Sequence, residues 1–118
     1  MAVSGISDAV TSALHMAIGG LDLRQRIITA NIANVETPGY LAQQVDFEDS
    51  LRAALATGEP ERAGASVSTS LAPTRLNGNN VNIDFELLAS AENVLRQKLA
   101  VQALNGKYAL LRTSITGQ

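Results

Sequence analysis

The sequence contains no cysteine, no tryptophan and a single histidine, His15. Without cysteine there can be no disulfide, thiolate metal site or cysteine nucleophile, and cysteine usage leaves the cellular compartment open. His15 falls among polar residues on a helical wheel, so we expect a solvated side chain. No nucleophile, base and orienting group converge in the sequence, which favours a protein without catalytic, metal or cofactor sites.

Aromatic residues make up only 3% of the chain, so a core must be built from Leu, Ile, Val and Ala. The net charge of -2 shows no basic excess, so no nucleic-acid partner is predicted. Apolar runs never reach membrane-spanning length, which predicts no direct membrane span. The first twenty residues lack the basic and apolar regions of a signal peptide, so we expect export, if any, without a cleaved signal.

Apolar residues at steps of three and four predict a long amphipathic helix over residues 4–35. The proposed packing seam of this helix comprises Val10, Leu14, Leu21, Ile28 and Val35. Met16, Leu23 and Ile27 form a second, smaller apolar strip, which suggests two neighbours. Gly19 and Gly20 lie in mid-helix, where glycine is unfavourable, and predict a close approach by another backbone or a bend.

Pro38 and Gly39 predict a type II turn that ends this helix. An extended stretch over 40–45 should follow. We then expect a short second helix over about 47–57, with Asp46 as its N-cap and Glu48 in its first turn. Asp46, Glu48 and Asp49 could instead form a carboxylate cluster for acid-base chemistry, but helix capping explains them more simply.

Small and polar residues dominate 58–80, which predicts a mobile connector or a surface loop that orders only against a partner. Within it, 77–80 lacks the lysine and the strand-to-helix context of a phosphate-binding loop, so a turn is favoured. A last helix should begin near Asn82 or Asp84 and run to about Ile115. Its proposed packing seam comprises Leu87, Val94, Val101, Leu104, Tyr108, Leu111 and Ile115. A second strip comprises Leu88, Leu95, Leu99 and Leu110.

These segments predict an all-α fold in which the two long terminal helices pair as an antiparallel hairpin or coiled coil. The expected divisions are the N-terminal helix and turn over 1–40, the middle helix over 41–57, the connector over 58–80 and the C-terminal helix over 81–118. Because each long helix has apolar residues on two sides, one copy cannot bury both strips. Folding should therefore be coupled to assembly with neighbouring subunits.

The stretch ANIANVETPGY over 30–40 resembles the N-terminal signature shared by flagellar rod, hook and hook-associated proteins. The stretches NGNNVNID over 77–84, AEN over 91–93 and LNGKY over 104–108 resemble the proximal rod members of that family. The residues that carry this assembly motif are Asn31, Asn34, Thr37, Pro38, Gly39 and Tyr40. Spacing alone leaves Asn31 and Asn34 open between polar helix-end residues and hydrogen-bond anchors, and the resemblance favours anchors.

The resemblance implies a structural subunit of the bacterial basal body rod, exported through the flagellar type III apparatus and located outside the cytoplasmic membrane. It also implies self-association and, as partners, other rod proteins, the ring-to-rod junction protein and the export gate. The alternative is a soluble helical-hairpin binding module, such as a small secreted dimer or an export chaperone. That alternative does not account for the signature around Pro38 and Gly39.

Overall fold

The computed structural model describes the backbone of residues 2–116 and the side chains of residues 8–116. This part of the chain is mainly helical. Its elements are α1 Ala2–Ala33, β1 Gln43–Asp46, α2 Glu48–Ala56, a 3-10 turn Pro60–Arg62, β2 Ser66–Thr69 and α3 Ile83–Thr116. The predicted bounds of the three helices agree with these to within two residues at each end.

Helices α1 and α3 pack side by side in antiparallel orientation, as predicted. The side chain of Gln25 donates to Ser90 at 2.8 Å, and His15 lies 3.0 Å from the hydroxyl of Tyr108, so residues later in α3 meet residues earlier in α1. The chain measures 64 × 28 × 14 Å, with a radius of gyration of 18.1 Å. A compact domain of this length has a radius of about 13.5 Å, so the molecule is elongated.

Local signals fix the ends of the long helices. The amide of Tyr40 donates to the carbonyl of Thr37 at 3.2 Å, and Gly39 has a φ of 75°, as in a type II turn. At the start of α3 the side-chain oxygen of Asn82 accepts from the amide of Phe85 at 3.1 Å. Both contacts confirm the predictions, because turn and cap depend on residues only three apart.

The fold is not purely all-α, and the prediction is corrected here. Strands β1 and β2 form a two-stranded antiparallel sheet in which Val45 pairs with Val67. Strand β1 overlaps the predicted extended stretch, but β2 lies inside the range that was predicted as a connector. Residues 66–69 are all exposed, so β2 is held by its pairing with β1 rather than by apolar burial, and hydrophobic content gave no signal for it.

The prediction of Asp46 as the N-cap of α2 is wrong. Phe47 occupies the cap position and no side chain caps the helix. The chain leads into α2 by burying Phe47, which is 6% exposed, against α1. Glu48, although partly exposed, then pairs with Arg24 of α1. A long-range ion pair thus takes the place of the expected local cap.

The small apolar core lies where β1 and α2 cross α1, and it consists of Leu21, Val45 and Phe47. Gly20 allows this packing, because a Cβ at that position would lie 2.5 Å from Cγ of Phe47. A Cβ on Gly19 would meet no atom within 4 Å. The close approach predicted for this pair therefore belongs to Gly20 alone, and it is made by a side chain rather than by another backbone.

We expect the two glycines to respond oppositely to alanine. Gly20→Ala should lower the free energy of unfolding by about 1–3 kcal/mol, because it overpacks the site of Phe47. Gly19→Ala should raise it by about 1 kcal/mol through helix propensity. Urea unfolding followed by circular dichroism, with trimethylamine N-oxide present to favour the folded state, measures both. Equal effects of the two substitutions would contradict the placement of Phe47.

Candidate functional site

Helix α3 meets α1 through a largely polar stripe, which we call the polar seam. Its members are, apart from Ala89, the residues of α3 that are not exposed, and they recur at steps of four and three: Glu86, Ser90, Asn93, Gln97, Ala100, Leu104 and Lys107. The side-chain Nδ2 of Asn93 donates to the carbonyl of Leu21 at 2.8 Å and to the side-chain oxygen of Gln25 at 3.0 Å. Hydrogen bonds between side chains and the α1 backbone thus orient α3.

The proposed packing seam of α3 lies mostly outside this contact. Leu87, Val94, Val101 and Tyr108 each follow a polar-seam residue by one position, a rotation of about 100° round the helix. Leu104 is buried, with 9% of its surface exposed, whereas the others of the proposed set are 36% to 85% exposed. On α1, Leu21 and Ile28 are each only 5% exposed, while Val10 is 41% exposed. As a packing surface between chains, the proposed seam stays a prediction.

The second strip of α3 also faces away from α1. Its residues Leu88, Leu95, Leu99 and Leu110 are 56% to 69% exposed. Phe85, in the first turn, is 59% exposed. The helix therefore presents two apolar strips to solvent and uses a polar one within the chain, which reverses the arrangement of an ordinary amphipathic helix.

Two buried polar groups weaken the polar seam. The side-chain oxygen of Asn93 is buried without a hydrogen-bond partner in the described residues, a cost of about 1–3 kcal/mol. Glu86 is 5% exposed and forms no ion pair in the described residues. Burial raises the pKa of Glu86, and a hydrogen bond from Asn31 partly offsets that shift.

Asn31 and Tyr40 of the predicted assembly motif meet below the turn. Asn31 is fully buried. Its amide group donates to the carbonyl of Gln43 at 2.9 Å, and its oxygen accepts from the amide of Gln43 at 3.0 Å and from the hydroxyl of Tyr40 at 3.2 Å. The side chain therefore pairs with Gln43 much as a neighbouring strand would, and it docks β1 against α1.

The end of α1 is held by a second set of residues, contributed by 75–81. Asn79, also fully buried, donates to the carbonyls of Asn34 and Thr37 at 2.8 Å each. Arg75 donates to the carbonyl of Val35 at 2.6 Å, so its positive charge lies at the carbonyl end of α1. These bonds hold the carbonyls of the turn that follows α1, and those of Asn34 and Thr37 also accept backbone amides of Thr37 and Tyr40.

The remaining motif residues shape the turn. The side chain of Asn34 donates to the carbonyl of Ala30 at 2.8 Å and accepts from the hydroxyl of Thr37 at 3.0 Å. The amide of Gly39 donates to the carbonyl of Asn77 at 2.8 Å, and a Cβ on Gly78 would lie 3.3 Å from Cα of Gly39. The two backbones therefore touch. We call this region, 34–40 together with 75–81, the turn junction.

Sequence reasoning missed several residues that hold the site. Asn79 and Asn80 were predicted only as part of a turn, and Arg75 and Asn93 received no structural role, although asparagines are frequent around the turn before α3. Asn80 accepts from the amide of Ala42 at 2.7 Å and donates to the carbonyls of two residues that follow β2. The only available signal was this asparagine content, because the partners lie up to 72 positions away in the sequence.

Arg24 ties α1 to the segment that crosses it. Its guanidinium bonds both carboxylate oxygens of Glu48 at 2.6 and 2.7 Å, donates to the carbonyl of Val45 at 2.7 Å, and lies 4.8 Å from the ring centre of Phe47. The bond from Arg24 lowers the pKa of Glu48 to about 2. Arg24 is thus a structural anchor between α1 and the segment of β1 and α2.

Within the described residues, no group of three His, Cys, Asp or Glu side chains could hold a metal ion. The helices of that same part of the chain include none with the length and apolar character needed to cross a membrane. The features that stand out are the exposed apolar strips of α3 and the turn junction.

Comparison with known proteins gives consistent matches. Residues 18–40 match the family model described as flagella basal body rod protein, and this range covers the second half of α1 and the turn. The chain is 32% identical over 117 residues to the flagellar basal body rod protein FlgB of Bacillus subtilis, covering 88% of this chain and 91% of the relative.

Two further relatives carry the same description. The FlgB protein of Cereibacter sphaeroides strain ATCC 17029 is 31% identical over 110 residues, covering 82% of this chain and 86% of the relative. The FlgB protein of Escherichia coli K12 is 29% identical over 124 residues, covering 85% of this chain and 90% of the relative. The similarity therefore spans both long helices and the segment between them.

The hydrogen bonds of Asn31 make a graded prediction. Asn31→Ala leaves the amide and carbonyl of Gln43 without partners and should cost about 1–3 kcal/mol for each unsatisfied group. Tyr40→Phe removes one hydroxyl and should cost about 0.5–1.5 kcal/mol. Urea unfolding under the osmolyte conditions above ranks the two variants. A smaller cost for Asn31→Ala than for Tyr40→Phe would show that Asn31 does not dock β1.

Glu86 and Glu48 should respond to pH with opposite signs. The folded-state pKa of Glu86 is raised above its ordinary 4.5, so ionisation destabilises the fold as pH rises through that value. The folded-state pKa of Glu48 is about 2, so its ion pair stabilises the fold above pH 4.5, and that stability is lost as pH falls towards 2. At neutral pH, Glu86→Gln should therefore stabilise the chain and Glu48→Gln should destabilise it.

The measurement is the thermal midpoint of each variant from pH 3 to pH 8 by circular dichroism, since the differences from the unmodified chain should shrink in acid as the carboxyls become protonated. Glu48 is 44% exposed, so its effect should also weaken with salt. A destabilised Glu86→Gln variant at neutral pH would refute the assignment of Glu86 as an unfavourable buried charge.

Proposed function

The chain belongs to the FlgB family of flagellar basal body rod proteins, and from this premise we propose that it is a structural subunit of the proximal rod. In this proposal its two long helices assemble with those of neighbouring subunits into the tubular drive shaft that serves motility. The subunit performs no chemistry and acts by packing.

The observation that carries the proposal is the outward orientation of the apolar strips of α3. Leu87, Leu88, Leu95 and Leu99 are all more than half exposed, while the helix packs on α1 through Glu86 and Asn93. A helix surface rich in leucine and open to water marks an interaction site in a soluble protein. A polymer subunit would bury both strips against different neighbours.

The area of the molecule supports the same proposal. Its accessible surface is 7738 Å². A compact monomer of 12.4 kDa exposes about 6100 Å². The excess of about 1600 Å² is twice the roughly 800 Å² that each partner contributes to a standard protein interface. The chain thus has surface for more than one neighbour, as a subunit within a tube requires.

We further propose that the subunit is exported through the flagellar type III apparatus in an unfolded state. The weak polar seam supports this step, because the unpartnered oxygen of Asn93 and the buried Glu86 lower the stability of the lone chain. Burial of the α3 strips by neighbours would then stabilise the folded form at its destination. Folding and assembly are coupled in this scheme.

The partners in the proposal are further copies of this chain, other rod proteins, the ring-to-rod junction protein and the export gate. The family membership supports the first two classes directly, since rods are built from homologous subunits. The assembled protein would lie in the basal body outside the cytoplasmic membrane, without a membrane span of its own.

Deletion of the gene tests the proposal. Cells that lack it should be non-motile, and their isolated basal bodies should lack the rod when viewed by electron microscopy. Reintroduction of the unmodified gene should restore both rod and motility. Motile deletion cells with complete rods would end the proposal.

A substitution on α3 tests the mode of assembly. Leu111→Asp should abolish rod formation while export continues, because Leu111 is 39% exposed and contributes little to the lone chain. Thr113→Asp adds the same charge two residues further along an exposed part of α3 and serves as the matched control. Normal rods with Leu111→Asp would count against the proposed seam. Leu104→Asp is a harsher variant, because Leu104 is also buried within the chain.

A further inference from the structure

The loop between β2 and α3, residues 70–80, exposes two leucines completely. Leu71 is 98% exposed and Leu76 is 110% exposed, so neither is covered by any part of its own chain. We call this segment the leucine loop. The turn junction fixes its position near the end of α1, since the backbone carbonyl of Asn77 accepts from the amide of Gly39.

The leucine loop is held by hydrogen bonds at both ends and in its middle. The amide of Ser70 donates to the carbonyl of Ala42 at 2.8 Å, and the amide of Arg75 donates to the carbonyl of Asn79 at 2.8 Å. Asn80 donates to the carbonyls of Ser70 and Ala72 at 3.2 and 3.1 Å. Fixing this backbone costs conformational entropy that apolar burial of its leucines within the chain does not offset. Because the loop is already ordered, a partner that covers it binds with a smaller loss of conformational entropy.

A matching acceptor lies on the same chain. An open apolar groove of about 180 Å³ runs along α1 beside α2 and the segment before β2. Its lining includes Gly19, Gly20, Phe47, Leu51, Ala63 and Ala65. A protein cavity of about 150 Å³ with an apolar lining can hold a molecule of benzene, so this groove has room for one leucine side chain. We call it the Gly19 groove, because a Cβ at Gly19 would meet nothing within 4 Å.

One chain cannot join these two surfaces. The leucine loop is bound to Gly39, just beyond the end of α1, whereas the groove lies at Gly19 and Gly20. About twenty residues of mostly helical chain separate them, or roughly 30 Å at 1.5 Å per residue. Contact between different surfaces of identical chains is heterologous and can repeat without closing, as the growth of a filament requires.

We infer that the leucine loop of one copy inserts Leu76 into the Gly19 groove of a second copy. This inference rests on the proposed role as a polymerising subunit and names one contact of that assembly. The occupant is assigned as a second copy because knob and groove lie on the same sequence, match in size and apolar character, and are separated along α1. The excess exposed surface leaves room for this contact beside those of α3.

The absence of cysteine from the sequence allows a direct cross-linking test. Deletion cells would produce two forms of the full chain together, Leu76→Cys and Ala65→Cys, and would be treated with an oxidant. A disulfide requires Cα atoms within about 7 Å, so a dimer formed only when both cysteines are present supports the inference. Thr113→Cys in place of Ala65→Cys is the control and should give no more dimer than Leu76→Cys gives alone, because Thr113 does not line the groove.

The outcomes are distinct. No dimer in cells that build rods, or a cross-link from Leu76→Cys to a different protein alone, overturns the inference and leaves the rod function standing. Cells that complete their rods without this gene overturn the proposed function itself. Cross-linked dimer in cells that build rods supports both.

Matched substitutions keep the test independent of folding. Leu76→Asp should block rod assembly, whereas Thr74→Asp on the same exposed loop should not. Gly19→Leu should also block assembly by filling the groove, although leucine is a better helix former than glycine. Circular dichroism of purified Leu76→Asp should match that of the unmodified chain, and Gly19→Leu should show at least as much helix. If the Leu76→Asp variant and the Gly19→Leu variant each still build rods, the proposed contact is contradicted.

Discussion

The polar seam between α1 and α3 is the constraint on which the rest of this molecule depends. Hydrogen bonds from Asn93 to Leu21 and Gln25 set the rotation of α3, and the two apolar strips of that helix, apart from Leu104, are then directed away from α1. The result is an elongated chain whose apolar cluster of buried residues lies where β1 and α2 cross α1. A protein built in this way has its main apolar surface available for other molecules.

Buried polar groups in the seam lower stability but specify geometry. The carboxyl of Glu86 and the free oxygen of Asn93 cost more than leucines would at the same positions. If α3 packed on α1 through leucines, those leucines would be hidden within the lone chain and lost to its neighbours. A weak, oriented contact within the chain and exposed apolar strips on α3 are therefore two consequences of one arrangement. Both are consistent with the proposed export in an unfolded state and assembly with neighbouring subunits.

The turn junction solves a different physical problem, which is how to order a segment that has little to bury. Asn31, Asn79 and Asn80 act as substitutes for backbone, because each primary amide presents a donor and an acceptor like those of a peptide group. Arg75 adds a charge at the carbonyl end of α1. Order in residues 70–80 thus comes from hydrogen bonding, and the apolar side chains of that loop remain outside.

The sequence by itself determined the extents of the long helices, the turn at Pro38 and Gly39 and the cap at Asn82, because these depend on periodicity and on contacts a few residues apart. It also indicated that the chain has more apolar helical surface than one copy can bury. The tertiary structure alone decided which face of α3 meets α1, that Glu48 pairs with Arg24, and that residues 66–69 form a strand. The hydrophobic effect has no direction, so apolar spacing identifies a surface to be buried without naming the partner that buries it. Hydrogen bonds such as Asn93 to Leu21 join residues far apart in the sequence and leave no local pattern from which they could be predicted.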